Sequence, residues 1–428
     1  MKKLLAFALV LMMLVSSGVL SALAEEPLQL TMYFPVNVGG DAANLIDQMT
    51  ADFNAENPDV QVQAVYTGNY DDTVTAIQTA IQGGNAPDLF VSLATQRFTM
   101  ADTKMAMPLD DLIAADPEGQ AFVDDFIDGF MLDSYVDGSI YSIPFQRSTM
   151  VMFYNKDAFE EVGLDPESPP TTWDEMVEYA QKLTNENRYG VGIALNSGSA
   201  QWAFTGFSLQ NCTNGVGLMS ADGKEVYFNT PENIEALQLW LDLQNKYKCM
   251  APGIVQWTDL PTQFLAGEVA MIYHTTGNLT NIKNNATFDF GVCFLPAGRQ
   301  WGAPTGGGNF YITNGISEER QKAAWEFIKF CCSTERAAQW SIDTGYVATR
   351  ESCYETQLLK DYYADFPEAL VAYEQLPYAQ PELTTYSAAE MWRILNDNIQ
   401  AAVTGEMTAA EALEAAQQQG DDLLFDYQ

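Results

Sequence analysis

The chain has a single histidine, His274, among 428 residues, and its cysteines show none of the spacings that build a zinc site. Any serine or cysteine nucleophile would have only His274 as its imidazole base, and no triad partner is apparent around it. A phosphate-binding loop, a nucleophile elbow and a zincin helix are all missing. With 57 acidic residues, chance carboxylate pairs are unavoidable, so a pair carries no weight for glycoside hydrolysis. Positive charge is scarce: 20 basic against 57 acidic residues give a net charge of −37. Such a surface repels nucleic acid and anionic lipid. Beyond the N-terminal stretch, no segment approaches the ~18 unbroken apolar residues of a membrane span. Nothing in the sequence calls for a metal or a cofactor.

What is present begins with the first 24 residues. Lys2 and Lys3 precede an apolar stretch over 4–20, and Ala22-Leu23-Ala24 places small residues where a signal peptidase reads. Residues 1–24 are therefore expected to be a cleaved secretory signal. No cysteine follows to carry a lipid, so the expected location is periplasmic or extracellular. The signal holds two lysines and no acid, leaving −37 − 2 = −39 on the mature chain. A content of 47% hydrophobic and 12% aromatic residues argues against disorder despite that charge. The six cysteines (Cys212, Cys249, Cys293, Cys331, Cys332 and Cys353) leave two readings open. One or two disulfides would suit an oxidising compartment, and buried free thiols fit equally well.

Strand and helix patterns alternate along the mature chain. Residues 28–34 alternate as a strand, and Leu45, Ile46, Met49 and Phe53 mark one helix face, ended at Asn57-Pro58. A strand over 60–66, a helix carrying Val74, Ile77 and Ile81, and a strand at 89–91 follow. This order predicts an α/β lobe whose parallel strands are joined by helical crossovers. After residue 140 the alternation resumes. Strands are expected at 151–154, 190–195 and 269–273, and helices at 173–183, 231–247, 261–267 and 318–330, with mostly helix from 354 on. Thr172 and Glu175 have the spacing of a capping box. No repeat or low-complexity linker appears. Two lobes must then be joined by short ordered crossings, expected near 142–147, 270–277 and 336–346. Gly306-Gly307-Gly308 reads either as a turn or as a place where backbone can approach a ligand closely.

Several segments carry a family resemblance. They include Phe53-Asn54-Ala55-Glu56-Asn57-Pro58-Asp59, Gly68-Asn69-Tyr70, Gly84-Asn85-Ala86-Pro87, Pro144-Phe145 with Ser148-Thr149, and Tyr154-Asn155-Lys156-Asp157-Ala158-Phe159. Gly163-Leu164-Asp165-Pro166 with Thr172-Trp173, Gly277-Asn278-Leu279, Gly306-Gly307, Thr344-Gly345-Tyr346 and Thr404-Gly405 continue the series. In this order they resemble the extracellular solute-binding proteins of family 1, and within them the sn-glycerol-3-phosphate-binding proteins. The resemblance implies a two-lobed type II periplasmic-binding-protein fold of α/β class with a multi-strand hinge. One lobe would comprise 25–143 with 274–335, the other 144–273 with 336–428. It implies a non-enzymatic, monomeric receptor that delivers a small ligand to an ABC permease and its ATPase.

Carried over by position, the ligand contacts would be Tyr70, Ser148, Thr275, Gly307, Tyr346 and Arg393, joined by Trp202 and Arg147. The arginine would offer a planar fork to a phosphate, and the two tyrosines are expected on opposite walls of the cleft. The chain departs from the pattern in two places. Ser92-Leu93-Ala94 is neutral where the resemblance implies an acid, and Trp202 stands without a second tryptophan close by. The implied ligand is a glycerol 3-phosphate-like or glycerophosphodiester molecule. The alternative is a neutral sugar stacked on Trp202, Trp257 and Trp301. A secreted glycoside hydrolase would need a matched acid–base carboxylate pair with one raised pKa.

Overall fold

A computed structural model describes residues 26–36, 38, 41–196 and 199–428, so the expected signal at 1–24 lies outside the described residues. The chain opens with β1 (Leu28–Phe34), α1 (Ala42–Glu56), β2 (Val60–Tyr66), α2 (Tyr70–Gln82) and β3 (Leu89–Leu93). α1 buries Ile46, Thr50 and Phe53, a stripe at helical spacing. It stops where the Asn57 N–H bonds back to the Phe53 carbonyl, just before Pro58. β1 pairs with β2 and with β3 in parallel, as helical crossovers require. Short helices over 97–134 and a small hairpin then lead into β4 (Ile143–Asn155).

β4 is long and buried along its whole length. Beyond it come α3 (Trp173–Leu183), β5 (Tyr189–Gly192), α4 (Ala200–Asn211), α5 (Pro231–Asn245), β6 (Val269–Thr275) and β7 (Phe290–Cys293). The Thr172 hydroxyl caps α3 by accepting from the Glu175 N–H. Glu175 reaches back to the N–H and hydroxyl of Thr171. The capping box predicted for Thr172 is thus shared with its neighbour. β8 (Ala303–Ile312), α6 (Glu318–Cys331), α7 (Thr334–Thr344), α8 (Ala388–Val403) and α9 (Ala409–Leu424) complete the elements that matter here.

Apart from the hairpin, the described strands form one mixed nine-stranded sheet whose main path is β2-β1-β3-β8-β4-β6-β5, with β7 paired to β4 and the short strand Ala379–Gln380 paired to β8. β8 is antiparallel to both β3 and β4, so it joins the parallel N-terminal sheet to the hinge. β4 pairs with β8 through its first half and with β6 and β7 through its second. Two long strands make two of the three crossings between the lobes, and the third runs between α7 and α8.

The cores locate the lobe boundaries. One cluster gathers Leu30, Phe53, Phe145, Phe310, Phe327, Trp340 and Tyr346. Another gathers Phe159, Phe204, Trp240, Tyr273, Trp392 and Leu413. The chain returns through β8, not at 270–277. Leu279, Ile282 and Val292 still pack with Val151 and Phe153 on the C-terminal side. The segment 336–346 also differs from expectation, because Trp340 and Tyr346 belong to the N-terminal core. Phe145 stacks on both Phe310 and Trp340, at 4.3 and 5.0 Å, which fixes α7 to that lobe. The expected boundaries near 274 and 336 therefore do not match the packing. All six cysteines are free thiols.

A charged cluster is buried beside the hinge. Asp133 accepts from Arg97 on one oxygen and from Arg147 on the other, both at 2.7 Å. Arg147 also donates to Asn309 Oδ1, and Asn309 donates to the Ser142 hydroxyl. These bonds tie both hinge strands to the N-terminal lobe. Removing one member would strand a buried charge, at a cost of about 3–5 kcal/mol.

Candidate functional site

A cavity of about 260 Å³ lies between the lobes. Its N-terminal wall starts at α2. Asn69 accepts from the Asp72 N–H while Asp72 accepts from the Asn69 N–H, a reciprocal cap that sets Tyr70 as the first helical residue. Tyr70 donates to Gln146 Oε1 at 3.2 Å and shares a hydrogen bond with the Tyr346 hydroxyl. Burial pushes both phenols well above their ordinary pKa. Tyr346 follows Gly345, whose left-handed φ of 90° ends α7, and stacks parallel to Trp340. The two tyrosines thus share one wall. The expectation of opposite walls fails because α7 packs with the N-terminal core.

The floor is made by the hinge strands. Ser148, on β4, and Gly306 and Gly307, on β8, line it. A Cβ at Gly306 would come within 2.7 Å of the Trp202 ring, and one at Gly308 within 3.0 Å of the Tyr70 hydroxyl. Gly307 has φ of +94° and would press a Cβ to 1.8 Å from the Gln146 carbonyl oxygen. The glycine run lets aromatic residues from both lobes rest on bare backbone.

The C-terminal wall is aromatic and amide-rich. Trp202 donates its indole N–H to the Thr305 carbonyl at 3.0 Å, which anchors it to the floor. Trp257 sits 5.4 Å from it and is backed by His274, stacked at 3.7 Å. Trp392 donates to the Leu383 carbonyl. Asn196 accepts from the Ser199 hydroxyl and from the Trp257 N–H, holding the entrance of α4 against that ring. Gln201, Thr275 and Glu382 complete the polar lining.

The electrostatics are unusual for a cavity expected to hold an anion. Among the described lining residues there is no lysine, arginine or histidine, while Asp71 and Glu382 bring carboxylates. Asp71 is exposed at the rim. Its pKa is raised first by desolvation and then by Asp72. Glu382 is 5% exposed. Burial pushes its pKa well up, Asp133 adds to the rise, and Arg147 opposes it. Positive potential comes instead from backbone. The N-termini of α2 and α4 open onto the cavity through Tyr70 and Asp71 and through Ser199 and Gln201.

Of the residues expected at the site, Tyr70, Ser148, Trp202, Thr275, Gly307 and Tyr346 line the cavity. Arg147 does not. Side chains alternate along a strand, so with Ser148 facing the cavity its neighbour turns to Asp133 and is fully buried. Arg393 does not either. It lies on the solvent face of α8, paired with Glu390 and Asp397 one helical turn to either side. Trp392 takes the inward place, because consecutive helical residues point about 100° apart. Trp301 is also elsewhere, packed edge-on against Phe294. Sequence reasoning missed Asn196, Gln201, Glu382 and Trp392. The buried stripe of α8 (Ala388, Met391, Trp392, Leu395) carries the period that would have favoured Trp392 over Arg393.

Residues 48–368 match the bacterial extracellular solute-binding proteins. The sn-glycerol-3-phosphate-binding periplasmic protein UgpB of Pectobacterium atrosepticum is 29% identical over 408 residues, covering 90% of this chain and 89% of its own. Its counterpart from Salmonella typhimurium is 29% identical over 417 residues, 92% of each chain. Among solved structures, UgpB from Mycobacterium tuberculosis in complex with glycerophosphocholine is similar with a TM-score of 0.80 and 24% identity, over 94% of this chain and 98% of that one. Maltose-bound MalE3 of T. maritima follows with a TM-score of 0.79 and 22% identity, over 92% and 100%. At such identities these two structures speak for the fold alone.

Proposed function

The chain belongs to the bacterial extracellular solute-binding proteins, and from that premise we propose that its cavity takes a glycerophosphodiester or a closely related phosphorylated polyol. The protein is a non-catalytic receptor that works outside the cytoplasmic membrane and hands its solute to the permease and ATPase of an ABC importer. The observation that carries the ligand reading is the donor set of the cavity. Two helix N-termini and the hydroxyls of Ser148 and Thr275 line it, with no cationic side chain among the described residues. Such a set suits a singly charged diester better than a doubly charged monoester, whose second charge would be left without a partner. The relatives named above for glycerol 3-phosphate, and the fold neighbour holding glycerophosphocholine, agree with that class.

A neutral sugar is the second reading, and one feature favours it. Trp202, Trp257 and Trp392 supply ring surface on one wall, with Asn196 and Gln201 between them. Calorimetry with glycerophosphocholine, glycerol 3-phosphate and maltose separates the readings. Tightest binding of glycerophosphocholine supports the proposal. Binding of maltose with neither phosphate compound would replace it.

A further inference from the structure

We propose that Glu382 is a specificity-determining residue of this cavity, its carboxylate receiving a pair of hydroxyl donors from the bound polyol. The inference rests on the receptor reading above and names the chemistry of one end of the ligand. Glu382 lines the cavity and is 5% exposed, yet its carboxylate has no hydrogen-bond or ion-pair partner among the described residues. An ionised carboxylate accepts at two oxygens and donates nothing. Burial without donors favours its neutral form in the empty cavity, and hydroxyl donors from a ligand favour the ionised one.

Neighbouring polar groups are already committed elsewhere. The Trp202 and Trp392 indoles donate to the Thr305 and Leu383 carbonyls. The Ser199 hydroxyl donates to Asn196, and Gln201 Oε1 accepts from Asn396. The backbone beneath Glu382 is held, since its own carbonyl accepts from the Thr384 hydroxyl at 2.8 Å. The carboxylate is therefore presented on a fixed base with its acceptors unused.

Hydrogen-bonding capacity selects hydroxyls over a quaternary ammonium as the occupant. Arg97, Arg147 and Asp133 together carry one net positive charge in the buried cluster, and the field of Arg147 reaches Glu382. Once ionised by donors from a ligand, Glu382 cancels that charge. A quaternary ammonium has no N–H to offer either oxygen, whereas neutral hydroxyls donate to both and add no charge in a desolvated place.

The test is a cycle between protein and ligand. Wild type, Glu382→Gln and Glu382→Ala are titrated calorimetrically with glycerophosphocholine, glycerol 3-phosphate and maltose. Each phosphate compound is also run as its analogue lacking the central hydroxyl. The expected result is a loss of about tenfold or more on changing Glu382 or on deleting the hydroxyl, with little added loss when both are removed. Melting of the empty variants at or above the wild-type temperature keeps a folding defect out of the reading. Equal affinities for wild type and Glu382→Gln overturn the proposal while leaving the receptor reading intact. Equal losses for the hydroxyl and deoxy compounds, together with a steep salt dependence, would mean that the carboxylate meets a cation and would overturn it too. If wild type binds none of the probes, the ligand reading itself falls, and the assignment of Glu382 falls with it.

Discussion

His274 makes the protein's stability depend on pH in a way that can be read without interference from other histidines. It is fully buried near the end of β6, its ring stacked 3.7 Å from Trp257 on the cavity wall. Nε2 lies 3.2 Å from the Trp257 carbonyl, and Nδ1 lies 3.0 Å from the Asn278 amide nitrogen. A carbonyl can only accept and an amide NH₂ can only donate, so the neutral ring carries its proton on Nε2. A second proton on Nδ1 would point at the Asn278 donors. Burial, with only the Trp257 carbonyl opposing it, brings the pKa down to about 3.

The unfolded imidazole titrates near 6.5, so between pH ~6.5 and 3 the unfolded chain binds the extra proton and the folded chain does not. The His274 contribution is therefore complete above pH ~6.5 and is lost as pH falls. The loss is about 2 kcal/mol between pH 7 and pH 5. Urea unfolding of untagged wild type and His274→Gln at pH 7, 6 and 5 isolates it, because the carboxylate background is common to both proteins. The stability gap between them should shift by about 2 kcal/mol over that range. A single imidazole resonance should also stay unprotonated down to pH 5. A folded-state titration near pH 6.5, or parallel loss of stability in both proteins, would refute the reasoning.

Other outcomes follow from the floor and the outer face of α8. Gly306→Ala, with ordinary backbone angles but a Cβ 2.7 Å from Trp202, should shift tryptophan fluorescence and weaken ligand binding about tenfold. That estimate assumes displacement of one buried ring contact. Gly307→Ala meets both a φ of +94° and the Gln146 carbonyl, so it should lower stability by about 2 kcal/mol or more in urea unfolding. Arg393→Ala removes only exposed ion pairs and should leave ligand affinity within about twofold by calorimetry. A larger loss would return Arg393 to the site.

Local patterns were legible because they obey short-range rules. The strand over 60–66 and the helix over 173–183 fall where alternation and capping put them. The helix over 200–211 was not legible, since every residue in it is buried and no polar face marks its period. The site divided in the same way. Tyr70, Ser148, Trp202, Thr275, Gly307 and Tyr346 line the cavity, whereas Arg147 and Arg393 do not. Residue type suggested that an arginine would meet an anion, but the direction of each side chain was fixed by neighbours distant in sequence. Asp133 claims Arg147 from a separate segment, and two acids on the same helix claim Arg393.

By itself, the sequence determined the alternating α/β elements and the glycine run, along with a surface hostile to polyanions and the want of catalytic groups. These follow from periodicity, backbone freedom and composition, each of which acts within a few residues or sums over all of them. The tertiary structure alone decided that β4 and β8 carry the hinge, that both tyrosines share a wall, and that Glu382 enters the cavity with its acceptors unused. Those outcomes depend on which buried groups satisfy one another across separations as large as 226 residues, as between Gln375 and Thr149. The burial of polar groups is settled by the partners that folding brings together, and no local pattern in the chain encodes that pairing.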